Sequence, residues 1–128
     1  MGDQFNLTGD FRGSIINFKS TLRNVHQTAG EIPNASEDDR KRLQDLIVSL
    51  TVELEKAPAA QKEEVEAVAI TATTLVEQVK DGKKNKTLMR ITAEGLKTAA
   101  SSLAPMLPAI LPIVTQMIAT VAKMSGTG

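Results

Sequence analysis

Apolar residues recur at Leu43, Leu46, Ile47, Leu50 and Leu54, the three-four spacing that lays one stripe of a helix against a core. Ser36 stands ahead of this run as an N-cap candidate. Glu37, Asp38 and Asp39 then place negative charge at the positive end of the helix dipole. Ala57-Pro58 ends the helix. A second stripe, Val65, Val68, Ala69, Ala72, Leu75, Val76 and Val79, predicts a helix from about Ala60 to Lys80. Its charges suit the dipole too, with Glu63, Glu64 and Glu66 early and Lys80 late. A turn follows at residues 81–85. A further helix is expected from near Thr87, with Leu88, Ile91, Gly95 or Leu96, Ala99 and Leu103 facing inward. Upstream, Ser20 to Ala29 reads as a short first helix through Leu22, Val25 and Ala29, closed by Gly30.

The pattern differs at both ends. In residues 4–19, QFNLTGDFRGSIINFK, Phe5 and Leu7 alternate with polar neighbours, Gly9, Asp10 and Gly13 punctuate, and Ile16 and Phe18 alternate again. Period-two hydrophobicity around glycines predicts two short strands in a hairpin. A lone hairpin is marginal in water, so it must lie on the helices or pair with another chain. The fold class expected is mainly α: a four- to five-helix bundle over residues 20–124 with a short N-terminal β-hairpin over residues 1–19.

At the other end, residues 98–122 contain no charge and are bracketed by Lys97 and Lys123. About 20 apolar residues suffice to cross a bilayer core as a helix. Pro105, Pro108 and Pro112 interrupt this stretch, so a break is expected, with Ile113 to Met124 as a separate final helix. Leu103, Met106, Leu107, Ile110, Val114, Met117, Ile118 and Val121 form its apolar stripe. Three readings stay open: a buried bundle helix, a membrane-inserting segment, or a segment sheltered until triggered.

Composition narrows the chemistry. The 128 residues suit one domain, and 15 basic against 15 acidic residues give no net charge to attract nucleic acid. There are no cysteines, and the three aromatics, Phe5, Phe11 and Phe18, all lie in the first eighteen residues, which disfavours base stacking. The start has neither the basic nor the apolar region of a secretory signal, so a cytoplasmic location is expected, with membrane association if residues 98–122 act on lipid. The Asn-x-Ser/Thr triplets at Asn6, Asn34 and Asn85 then carry no glycan.

Catalysis is not expected. His26 is the one histidine, and Arg23, not a carboxylate, stands three residues before it. Gly9-Asp-Phe-Arg-Gly13-Ser14 lacks the lysine of a phosphate-cradling loop, and Glu63 to Glu66 reads as a solvated helix start. No cofactor or metal is implied. The basic run Lys80, Lys83, Lys84, Lys86 and Arg90 precedes the uncharged segment. It is either a solvated turn or a patch for anionic headgroups, worth about 1 kcal/mol per cation near the surface. The N-terminal motif is the sharpest feature: Phe5, Leu7, Phe11, Ile15, Ile16 and Phe18 are candidate self-assembly residues, because glycine-punctuated, β-branched segments stack across chains.

The residues FNLTGDFRGSIIN resemble the short assembly motifs at the ends of bacterial amyloid-signalling and immune-receptor-associated proteins, with Gly9, Gly13, Ile15 and Ile16 as motif positions. In those systems the motif is paired with a small helical effector, the Bell-type domain, similar in organisation to fungal HeLo domains. The resemblance implies homotypic templating followed by membrane damage and cell death. The expected function is therefore a self-assembling helical effector of bacterial defence, a homo-oligomer with an anionic membrane as candidate target. The alternative is a soluble helical adaptor docking on a larger receptor or enzyme.

Overall fold

A computed structural model describes the backbone of residues 7–33, 35–81 and 86–124, with side chains from Phe18 onward. Among these residues the chain forms five α-helices and one 3-10 turn: α1 Leu7–Gly30, α2 Glu37–Leu54, the 3-10 turn Ala59–Gln61, α3 Lys62–Lys80, α4 Lys86–Leu103 and α5 Ile110–Met124.

No strand occurs among the described residues, so the hairpin expected over residues 1–19 gives way to helix from Leu7 onward. The physical reason is a longer period. Leu7, Phe11, Ile15, Phe18, Leu22, Val25 and Ala29 follow one another at intervals of three and four, and the last four are buried. The two period-two pairs span only three residues each and cannot compete with that register. Gly9 and Gly13 cost a helix up to about 1 kcal/mol apiece, but they fall outside its apolar stripe.

α2 begins where its cap chemistry dictates: the Asp39 amide donates to Ser36 Oγ at 3.0 Å. Leu43, Ile47, Leu50 and Leu54 are buried and Leu46 half-buried. Pro58 is extended and opens the 3-10 turn into α3, whose seven predicted core residues are all buried. Threonines are poor helix formers, yet α3 satisfies three of them internally. Thr71, Thr73 and Thr74 donate to the carbonyls of Ala67, Ala69 and Ile70 at 2.6, 2.7 and 2.9 Å.

α4 is rotated from expectation. Met89, Leu96, Ala100 and Leu103 are buried, whereas Leu88 and Ile91 are 51% and 61% exposed. Both registers keep three-four spacing, and Gly95, placed against Thr71, marks the side of α4 that meets α3. The chain then turns through residues 104–109. Amides of Met106 and Leu107 donate to the Leu103 carbonyl at 3.0 and 2.8 Å, and buried Leu107 anchors the corner. α5 starts at Ile110 rather than Ile113, because Pro112 fits a first turn whose amides have no helical acceptor.

α1 packs on α2 and α3, α3 on α4, α4 on α5, and α5 returns to α2. The helices thus close a ring around an aliphatic core, which Phe18 joins as the aromatic among the residues with described side chains. Polar clasps hold the seams: Lys19–Glu55 at 3.0 Å between α1 and the end of α2, and Lys123–Asp39 at 3.3 Å between α5 and α2.

Candidate functional site

Of the proposed assembly residues, Phe5 lies outside the described residues. Leu7, Phe11, Ile15 and Ile16 fall in the first half of α1. Phe18 is buried where α1 meets Leu54 and Val65, so it belongs to the fold and is not an outward contact.

The uncharged segment 98–122 is divided between α4, the turn and α5. Leu103, Leu107, Ile110, Val114, Met117 and Val121 are buried, Ile118 is half-buried, and Met106 is 40% exposed. Thr120 is buried as well, its hydroxyl satisfied by the Gln116 carbonyl at 2.8 Å. Among the described residues no helix is long and apolar enough to cross a membrane.

The basic run is separated by the fold. Lys83 and Lys84 lie outside the described residues, and Lys80 pairs with Glu31 at 3.2 Å beyond the end of α1. Lys86 and Arg90 turn the other way, into a groove of about 400 Å³ between α4 and α5. Lys97 joins them there, a residue that sequence reasoning passed over. Its signal was present, since 86, 90 and 97 are spaced four and seven apart and so share one helix face. Met89, Ala93, Ile118 and Val121 floor the groove, and Glu94 is the acid in its lining. Among the described residues Lys86, Arg90 and Lys97 have no ion-pair partner.

Large apolar side chains also remain on outer surfaces. Besides Leu88 and Ile91, these are Ile70 on α3, 60% exposed, and Val48 and Val52 one turn apart on α2. The two valines border a shallow groove between α1 and α2, shared with Lys19, Arg23 and His26. His26 is half-buried at that edge, and its carbonyl accepts from Gln44 Nε2 at 3.0 Å. Among the described residues no cluster of three or more His, Cys, Asp or Glu is placed to hold a metal ion. The chemistry these surfaces offer is apolar contact and charge pairing. Compared with known proteins, the chain matches no family model, no curated protein and no solved structure.

Proposed function

We propose that this chain works by association, as a self-assembling helical module without catalytic chemistry of its own. The observation that supports this is the set of large apolar residues left in water on successive outer faces: Ile70 on α3, then Leu88 and Ile91 on α4. Single exposed apolar residues are ordinary, but three on adjacent helices are what a contact surface offers. The resemblance of FNLTGDFRGSIIN to bacterial assembly motifs points the same way and supplies the biological setting, an effector of bacterial defence. Sedimentation across a range of protein concentrations tests it: the expected mass rises above the 13.7 kDa of one chain. A mass fixed at one chain throughout refutes the assembly reading and leaves the adaptor.

A second reading, action at an anionic membrane, is favoured by one observation. Lys86, Arg90 and Lys97 share α4 with Leu88 and Ile91, the mixture of cations and apolar groups that settles a helix at a lipid interface. Flotation with phosphatidylserine vesicles should then weaken with salt, since charges farther apart than about 10 Å are screened at 0.1 M. Equal flotation on neutral vesicles, or none on either, rejects it.

A further inference from the structure

Opposite charges are segregated onto two faces of this bundle. On α3, Glu63, Ile70, Thr74 and Glu77 are exposed at intervals of seven, four and three, and Asp81 continues the same face at the helix end. That outer face is acidic, with an isoleucine at its middle. The α4–α5 groove is the reverse: Lys86, Arg90 and Lys97 outnumber Glu94 around an apolar floor, and α5 contributes no acid to it. Elsewhere, Lys19, Lys80 and Lys123 each find a carboxylate on another element. Neither the groove cations nor Glu63, Glu77 and Asp81 have an ion-pair partner among the described residues.

We infer that the acidic outer face of α3 in one copy seats in the α4–α5 groove of the next. The inference rests on the assembly reading above and names its interface. The spacing fits an antiparallel seating. Glu77 and Asp81 stand one turn apart, about 6 Å along the axis, as do Arg90 and Lys86. Pairing Asp81 with Lys86 and Glu77 with Arg90 carries Ile70 to the level of Lys97, near the half-buried Ile118 of the floor. The two faces are different surfaces of one molecule, so the contact is head-to-tail and a pair of copies keeps one free acidic face and one free groove.

Two charge-reversed proteins test this. The first carries Lys86→Glu and Arg90→Glu, the second Glu77→Lys and Asp81→Lys. Both changes put the favoured sign at a helix end, so neither should unfold the bundle, and circular dichroism checks that. Each alone should sediment as one chain at concentrations where the unmodified protein associates, and an equimolar mixture should regain the larger mass. Adding Ile70→Ser to both proteins should abolish that recovery. Either reversed protein keeping the original mass overturns the inference while leaving assembly intact. So does a mixture that stays dissociated, or one that recovers without Ile70. Loss of vesicle flotation in the first protein with unchanged mass assigns the cations to lipid and overturns it too. An unmodified protein that never associates removes the assembly reading itself.

Discussion

Gly95 occupies the middle of α4, yet its position does not require glycine. A Cβ added there would meet nothing nearer than the Thr71 methyl at 3.8 Å, an ordinary contact. Gly95→Ala is therefore expected to stabilise the fold by about 0.5–1 kcal/mol, the helix-propensity difference, read from urea denaturation. Gly30 is the opposite case, since a Cβ there would come within 2.6 Å of Gln44 Nε2 and displace the amide from the His26 carbonyl. Gln78 is a third instructive residue. Its Oε1 is buried without a hydrogen-bond partner, so Gln78→Met should be neutral or stabilising by roughly 1–2 kcal/mol, the penalty of an unmet polar atom. Leu50 is fully buried, and Leu50→Ala should cost about 2–5 kcal/mol. Leu46, half-buried beside it, should cost less on the same scale.

At the scale of elements, legibility in the sequence followed how many registers each apolar pattern allowed. α2 and α3 each offered one, reinforced by Ser36 and by acidic first turns, and their buried faces could be read directly. α4 offered two, through Leu88 and Ile91 or through Met89 and Leu96, and only packing against α3 chooses between them. α1 was obscured by glycines that made a helical stripe look like two strands. The candidate surface was half legible. The Lys86–Arg90 pair stood out, whereas Lys97, on the same helix face, stands seven residues beyond the basic run and reads only as a bracket of the uncharged segment. Phe18 and Leu22 of α1 are buried. Removing residues 1–22 takes both out of the core and should abolish the cooperative thermal transition, as differential scanning calorimetry can show.

For the whole molecule, the burial of the apolar stripe within residues 98–122 changes what a charge placed on it reports. Ile110 is fully buried at the start of α5, where a guanidinium would find no partner. Ile110→Arg is expected to destroy the fold, seen as loss of helical dichroism, before any question of lipid arises. A test of membrane action therefore belongs on the exposed pair, Leu88→Ser with Ile91→Ser, which should leave stability nearly unchanged and reduce vesicle flotation.

The ring closes between α5 and α2, elements far apart in sequence, with Arg42 donating to Gln116 Oε1 at 3.3 Å and Lys123 paired with Asp39. During synthesis this seam forms after those among α1 to α4, since α5 follows them in the chain. Until α5 has left the ribosome, the flanks of α2 and α4 that it covers stand open, and the nascent chain is at its stickiest while α5 is still inside. Chaperone engagement should accordingly peak on chains stalled shortly after Leu103 and fall once Met124 has emerged, a profile that ribosome-bound crosslinking can record.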